Sequence, residues 1–279
     1  MHIALTDAQQ SLLNSWLGEW QITADYSWPL QDTTVLRVRS RARDFIVKAS
    51  QSSHHIEREI AAHEGFLGPF RGQVPTLVDS STPDRILLAE YLPGTLVEGT
   101  PAEDDPATYR NAGAMLARLL IPGQQSTTYV REQVASVRTS LSSAGGLVPA
   151  PALRELEGQL SAVVDEPVPL SFTHGDYQPR NWLIHDAQLR VIDFGRAAQR
   201  HWTSDLVRLD NQQFVERHEL EDAFMSGLGR PLSNLDQRML QLASLQQAIG
   251  TLAWAHGIGD SPFEDQGRQM IARLLAVSP

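Results

Sequence analysis

One stretch of the sequence decides the fold: His174-Gly175-Asp176-Tyr177-Gln178-Pro179-Arg180-Asn181-Trp182-Leu183-Ile184, followed by Val191-Ile192-Asp193-Phe194-Gly195. It places Asn181 five positions after Asp176, and Asp193 17 positions after Asp176. Apolar residues at 182–184 and 190–192 flank a turn at 185–188, which predicts a short β-hairpin. Such a hairpin would bring Asn181 and Asp193 to adjacent strand ends, where both face one point.

These residue types suit a metal-dependent reaction of a phosphate compound. Mg²⁺ prefers hard oxygen ligands and takes few of them from protein, so Asp193 and the Asn181 amide carbonyl are the predicted metal ligands. Asp176 would stay clear of the metal and act as the base that accepts a hydroxyl proton. The alternative is two solvated loop acids and a D-F-G that arose by chance. The ordered spacing beside apolar strands favours the functional interpretation.

The H-x-D-x4-N pattern with a D-F-G after it resembles the aminoglycoside phosphotransferase family, whose members are relatives of the protein kinases. His174-Gly175-Asp176 matches that family's form of the H-R-D of protein kinases. The resemblance extends from about Phe45 to Asp205. It implies an α+β, bilobal protein-kinase-like fold, with an N-terminal antiparallel sheet carrying one main helix and a mostly helical C-terminal lobe.

Lysine usage is an independent signal, because Lys48 is the only lysine among 23 Lys and Arg residues. It lies in an apolar, strand-like run at 44–50, and a compact ammonium there is not equivalent to a guanidinium. In the kinase-like fold, a lysine on the third strand contacts the α- and β-phosphates and pairs with a helix glutamate. The resemblance therefore implies that Lys48 binds the nucleotide. The alternative is one surviving surface lysine.

The glutamate partner of Lys48 is expected on the next helix. Apolar spacing predicts that helix at 53–67, with Ser53 as its N-cap. Glu59 borders the apolar face and is the predicted partner, while Glu64 on the opposite edge is the fallback.

The order of elements predicts two lobes. Strand patterns and one inserted helix occupy the first part of the chain, and the almost continuously apolar strand at 85–92 ends at the turn Pro93-Gly94. Helical patterns dominate afterwards, with four helices expected beyond residue 203. We therefore expect a nucleotide-binding lobe at 1–92 and a helical lobe at 93–279 that holds the catalytic loop, the metal ligands and the substrate pocket.

Two segments are expected to contact the nucleotide through their backbone or hydroxyl groups. By resemblance, the Glu90 carbonyl and the Leu92 N–H would bind the base, although a plain connector is the alternative. The segment that should cover the phosphates, 27–34, has no glycine, so its backbone cannot approach them freely. Thr33 and Thr34 are the expected substitutes.

The phosphate acceptor is predicted to be a small hydroxylated molecule. Only nine residues separate Gly195 from Asp205 and no A-P-E follows, so the peptide platform of a protein kinase is missing. We expect an ATP- or GTP-dependent O-phosphotransferase, with Mg²⁺, that inactivates a cationic antibiotic of the aminoglycoside, basic cyclic peptide or nucleoside type. A metabolic kinase for choline, homoserine or a sugar is the alternative, and a non-catalytic nucleotide-binding module is a third interpretation.

Acidic residues in the C-terminal part could bind amino groups of such an acceptor, although each is better explained as a solvated helix charge: Asp210, Glu216, Asp260, Glu264 and Asp265.

Composition limits the other possibilities. A formal charge of −10 argues against a nucleic-acid surface and suits a cationic small molecule. The chain has no cysteine, which excludes disulfides and thiol chemistry. No apolar run is long enough to cross a membrane, and the first residues do not resemble a signal peptide, so a cytoplasmic protein is expected.

Overall fold

The computed structural model describes residues 5–28 and 32–276. The chain forms two compact units. The first consists of Met1–Met115 and His174–Ala198, and the second of Leu116–Thr173 and Gln199–Pro279. The whole segment that carries the predicted catalytic and metal-binding residues therefore belongs to the first unit. The expected lobe boundary after residue 92 does not coincide with these units and stays a prediction.

The described residues contain nine α-helices: α1 (Asp7–Leu17), α2 (His55–Ala62), α3 (Pro106–Leu119), α4 (Tyr129–Ser143), α5 (Ala150–Ala162), α6 (Val207–Asn211), α7 (His218–Leu228), α8 (Asn234–Ile258) and α9 (Ser261–Ala276).

The same residues contain eleven strands: β1 (Gln21–Asp25), β2 (Thr34–Ser40), β3 (Arg43–Ala49), β4 (Leu77–Ser81), β5 (Ile86–Glu90), β6 (Thr95–Leu96), β7 (Pro122–Ser126), β8 (Val168–Thr173), β9 (Trp182–His185), β10 (Gln188–Val191) and β11 (Ala198–Arg200).

An antiparallel five-stranded sheet, with the order β1-β2-β3-β5-β4, is the centre of the first unit. Alternate residues of β2 and β3 are buried, as expected for strands with one covered face. Leu13 and Leu17 of α1 pack on that face. Ile56 and Ile60 of α2 pack against Leu87 of β5 in a second cluster. Strand β5 is thus covered on both sides, which explains its unbroken apolar sequence.

The predicted hairpin is present as β9 and β10, which pair in antiparallel register from Trp182↔Val191 to His185↔Gln188. Its turn is two residues long, Asp186 and Ala187, and both have positive φ angles, as a type I′ turn requires. Strand β6 pairs with the other edge of β9. Gly94 precedes it, and a Cβ at this position would lie 2.8 Å from the Leu183 Cβ, so only glycine fits there.

The second unit is built mainly from helices. Apolar residues of α4, α5, α8 and α9 form its core, including Leu156, Ile249, Leu252 and Met270. The four helices expected beyond residue 203 are α6 to α9. A small sheet of β7, β8 and β11 was not predicted, because the β7 sequence Pro-Gly-Gln-Gln-Ser has no apolar alternation.

The helix predicted at 53–67 differs from the structure at both ends. Helix α2 begins at His55, with His54 rather than Ser53 in the N-cap position, although the Ser53 Oγ accepts a hydrogen bond from the His55 N–H at 3.2 Å. The helix widens into a π-helical turn at His63–Leu67. None of the described helices combines the length and apolar character that crossing a membrane requires.

Gln9 provides a test of how α1 is attached to the sheet. Its side chain is 3% exposed, and its Nε2 donates to the carbonyl oxygens of Ser50 and Asp84 at 3.1 and 2.8 Å. Gln9→Met would leave both acceptors without a partner, so we expect a loss of about 2–4 kcal/mol in the free energy of unfolding. Urea denaturation measures it.

The matched control is Gln10→Met, one position further on the exposed side of α1. It should change stability by less than about 0.5 kcal/mol. Equal denaturation midpoints for the two variants would show that the Gln9 bridge contributes nothing.

Candidate active site

Lys48 lies at the centre of a three-membered ion cluster. Its Nζ donates to both carboxylate oxygens of Glu59 at 2.9 and 2.8 Å and to Asp193 Oδ1 at 2.8 Å. Strand β3 supplies Lys48, α2 supplies Glu59, and the loop after β10 supplies Asp193. Glu59 is 3% exposed, whereas the fallback residue Glu64 is exposed. The structure thus brings together three residues that the sequence assigned to one site.

Burial and neighbouring charges shift the pKa values of this cluster in opposite directions. Burial disfavours the Lys48 ammonium, but the attraction of Asp193 and Glu59 outweighs it and raises the pKa of Lys48. The Lys48 charge holds the pKa of Asp193 well below its usual range. Burial raises the pKa of Glu59. Lys48 and Asp193 are therefore both charged at neutral pH.

Asp193 has a backbone conformation that is rare for a non-glycine residue, with a φ angle of 68°. Such strained residues concentrate at functional sites, because the surrounding structure must hold them. Here the Ile192 N–H donates to the Asn181 carbonyl at 3.0 Å, which fixes the end of β10 beside Asn181. The next residue then directs its carboxylate to Lys48.

Asp176 is 2% exposed and lies within a polar loop that closes on itself. Gln178 Nε2 donates to its Oδ1 at 2.6 Å. The Oδ2 accepts from Arg180 at 2.5 Å and from Asn181 Nδ2 at 3.2 Å. A 3₁₀ turn at Pro179–Asn181 brings these donors back toward the carboxylate.

His174 holds the loop that carries Asp176. Its Nδ1 accepts from the Asp176 N–H at 3.2 Å, so the Nε2 carries the proton and donates to the Ile192 carbonyl at 2.9 Å. One imidazole thereby connects the backbone of the Asp176 loop to the strand that precedes Asp193. Gly175 between them has a φ angle of 80°, which explains why a residue without a side chain stands there.

Asn181 and Asp193 both line the cleft, and each side chain carries an oxygen donor. The Asn181 Nδ2 donates to the Asp176 carbonyl at 2.8 Å, which leaves its Oδ1 available to a cation. The described residues contain no group of three or more His, Cys, Asp and Glu side chains that could hold a metal ion. Two hard donors fit Mg²⁺, since this ion takes most of its ligands from phosphates and water. They do not fit a cation enclosed by protein.

The backbone of the linker after β5 borders the same cleft. Glu90 ends the strand, its N–H donates to the Thr76 carbonyl at 2.8 Å, and its side chain pairs with Arg43 at 2.5 Å. Leu92 follows in an irregular segment, and both residues line the cleft. Their expected contacts with a nucleotide base stay a prediction.

The segment 27–34, which has no glycine and is expected to cover the phosphates, is described only in part. Pro29, Leu30 and Gln31 lie outside the described residues. Thr33 lines the cleft, but Thr34 is 6% exposed at the start of β2 and is not available to cover phosphates. Asp32 was missed by the sequence analysis. It accepts hydrogen bonds from the Ser52 N–H and the Ser50 Oγ at 2.9 and 3.1 Å, which ties this segment to the loop after β3.

Arg180 and His55 also line the cleft. The His55 Nδ1 lies 2.9 Å from the Gly195 carbonyl, and burial lowers the pKa of His55. Arg180 lies inside the H-x-D-x4-N segment, and His55 is the first residue of helix α2.

The acids weighed as acceptor ligands belong to the second unit, where the structure gives several of them local partners. Glu264 pairs with Arg268 and His256, and Asp260 accepts from the Phe263 N–H at 3.1 Å. Asp210 bonds to Ser244 at 3.3 Å, and burial raises its pKa. Asp260 and Glu264 thus have local partners, whereas Asp210 is not a solvated helix charge, because it is largely buried.

Comparisons with known proteins give the family and the fold of the chain. The sequence model of the phosphotransferase enzyme family (APH) matches residues 27–242. No curated protein matches the sequence significantly. Solved structures show the same kinase-like fold at low identity. The GDP complex of aminoglycoside 2'-phosphotransferase-IIIa is 14% identical with a TM-score of 0.70, over 96% of this chain and 97% of the other.

Two further structures of antibiotic phosphotransferases have a similar fold. Macrolide 2'-phosphotransferase MphH from Brachybacterium faecium is 18% identical with a TM-score of 0.61, over 95% of this chain and 97% of its own. Aminoglycoside phosphotransferase APH(4)-Ia is 12% identical with a TM-score of 0.65, over 98% of both chains. At these identities, the similarity establishes the fold.

His63 gives the first unit a predicted acid sensitivity. It is 8% exposed and packs on Phe194, and burial lowers its pKa to about 4. The unfolded chain, with an ordinary histidine pKa of about 6.5, binds the proton first, so stability should fall by up to about 1.4 kcal/mol per pH unit between about pH 6.5 and 4. His63→Leu should reduce this slope in urea denaturation measured from pH 7 to 4.5.

His218→Leu is the control, because that side chain is 86% exposed. If His63→Leu and His218→Leu give the same dependence of stability on pH, then burial of His63 does not cause the acid sensitivity.

Proposed function

The chain belongs to the phosphotransferase enzyme family, and from this premise we propose that it transfers the γ-phosphate of ATP or GTP to a hydroxyl group of a small cationic antibiotic, and so confers resistance. One observation carries the proposal. Lys48, Asp176, Asn181 and Asp193 line a single cleft of the first unit, with Glu59 behind the lysine.

The donor side of the reaction is assigned residue by residue. Lys48, held by Glu59, contacts the α- and β-phosphates, and the backbone of Glu90 and Leu92 contacts the base. Asn181 and Asp193 bind Mg²⁺, which when bound neutralises phosphate charge. GDP is present in one structure of similar fold and ADP in another, so both ATP and GTP are candidate donors here.

The chemical step uses Asp176 as the base. It accepts the proton of the acceptor hydroxyl while the hydroxyl oxygen forms a new bond to the γ-phosphorus. The bond from the γ-phosphorus to the bridging oxygen breaks, and its electron pair leaves with the nucleoside diphosphate. Because the transition state of phosphoryl transfer is loose, positioning and charge neutralisation contribute most of the acceleration.

The acceptor assignment has two supports. The charge of −10 favours a cationic ligand. Structures of similar fold were solved with kanamycin and with hygromycin B. The acceptor class is tested by measuring ADP or GDP release with aminoglycosides, macrolides, basic peptides and nucleosides, and separately with choline, homoserine and sugars. Turnover with a metabolite alone would replace antibiotic inactivation by metabolic phosphorylation.

The base is tested with Asp176→Asn. This variant should lower kcat by about 10²–10⁴-fold, because the amide cannot accept the hydroxyl proton, and it should keep nucleotide binding. Asp186→Asn at the hairpin tip is the matched control, since its side chain is 88% exposed. Phosphoryl transfer by Asp176→Asn at the wild-type rate would refute the assignment.

The metal ligand is tested with Asp193→Ala. Loss of a charged oxygen donor should abolish the part of nucleotide affinity that depends on Mg²⁺, measured by calorimetry with and without the ion. Unchanged Mg²⁺-dependent affinity would contradict the role of Asp193.

A further inference from the structure

The Oδ2 of Asp176 is not open to an acceptor hydroxyl in this structure. Its Oδ2 accepts hydrogen bonds from both Arg180 and Asn181, at 2.5 and 3.2 Å, and its Oδ1 accepts from Gln178 at 2.6 Å. An oxygen that accepts two hydrogen bonds has both lone pairs occupied. The residue is also 2% exposed. A donor must move away before Oδ2 can accept a further proton.

Arg180 is the donor that can move. Gln178 and Asn181 are 5% and 4% exposed, and Asn181 is also held by its bond to the Asp176 carbonyl. The Arg180 side chain, by contrast, is 37% exposed and borders the cleft. A long side chain with solvent on one side can change partners without disturbing the core.

The phosphates of a bound nucleotide would offer Arg180 a second partner. Lys48 already donates to two carboxylates, Glu59 and Asp193, so it is a largely compensated cation. The segment expected over the phosphates has no glycine through which its backbone could approach closely. A further cation near the terminal group, beside the Mg²⁺ assigned to Asn181 and Asp193, would therefore favour binding of a triphosphate. A guanidinium is well suited, because its planar donors match phosphate oxygens in pairs.

We propose that Arg180 is a catalytic residue that exchanges partners: it leaves Asp176, to which it is bonded here, and moves to the transferring phosphoryl group when a nucleoside triphosphate binds. The inference rests on the proposed phosphotransferase function. The exchange frees Asp176 Oδ2 for the acceptor hydroxyl. The guanidinium keeps its protons throughout, while the hydroxyl proton goes to Asp176 and the diphosphate leaves with the electron pair of the broken bond.

The exchange makes the availability of the Asp176 base depend on the bound nucleotide. As long as the cleft holds no γ-phosphate, Asp176 Oδ2 is capped, and it becomes available only when the group to be transferred is in place. Binding of a diphosphate does not provide the partner that draws Arg180 away.

The first experiment measures binding without turnover. Calorimetry in the presence of Mg²⁺ compares adenosine and guanosine β,γ-imidotriphosphates with ADP and GDP, for wild type, Arg180→Met and Arg180→Lys. We expect Arg180→Met to weaken triphosphate binding about tenfold, the size of one charge-assisted contact, and to leave diphosphate binding within about twofold. Arg71→Met, at an exposed arginine outside the cleft, should change neither.

The outcomes separate the two proposals. If wild type binds none of these nucleotides, the proposed function fails and the role of Arg180 fails with it. If wild type binds them and Arg180→Met weakens triphosphate and diphosphate equally, or neither, Arg180 does not contact the γ-phosphate and this inference alone is overturned.

The second experiment measures turnover with an acceptor found in the release assay. Arg180→Met should lower kcat about 10–100-fold with little change in the KM of the acceptor, and Arg180→Lys should recover part of kcat because it keeps the charge. A residue that only capped Asp176 would give wild-type kcat or higher in Arg180→Met, and that result would overturn the proposal. If Arg180→Met does not fold, as judged by thermal melting, Arg180→Lys decides by the same ratio of triphosphate to diphosphate affinity.

Discussion

The ion cluster of Lys48, Glu59 and Asp193 is the interaction on which the arrangement of the first unit depends. It joins the consecutive elements β3 and α2 to the loop after β10, which lies 145 residues beyond Lys48 in the sequence. A buried ion pair adds little net stability, but removal of one member leaves an uncompensated charge at considerable cost. The cluster therefore specifies where α2 and Asp193 lie relative to β3 at the cleft.

Aromatic and imidazole rings support the cluster from the side of the core. The Phe194 ring, which follows Asp193 directly, packs between His174 and His63 with ring centroids 4.7 and 6.3 Å away. His174 belongs to the loop of Asp176, and His63 continues the helix that supplies Glu59. A displacement of any of these segments would thus be transmitted to the others through packed rings, because close-packed interiors have little room for independent movement.

The features that could be predicted from the sequence are those that residue spacing and residue type determine. The kinase-like α+β fold, the hairpin after Asn181 and the family followed from short segments whose chemistry allows few alternatives. The positions of Glu59 and Lys48 followed from helical periodicity and from one unusual lysine. The partner of Asp176 could not be found in this way, because Arg180 acts through a side-chain direction that a 3₁₀ turn sets. The sheet of the second unit was missed for a related reason, since its strand β7 is exposed and has no apolar pattern.

The restriction to one lysine has a consequence for the chemistry of the whole surface. The other 22 of the 23 Lys and Arg side chains are arginines and there is no cysteine, so Lys48 carries the one side-chain amine of the chain. It is 13% exposed, inside the cleft. Among side-chain amines, a lysine-directed acylating reagent would therefore report on a single position, and its reaction would be slow because Glu59 and Asp193 hold that amine protonated. Any bound molecule that shields the cleft would be visible as protection of that amine, whatever its identity.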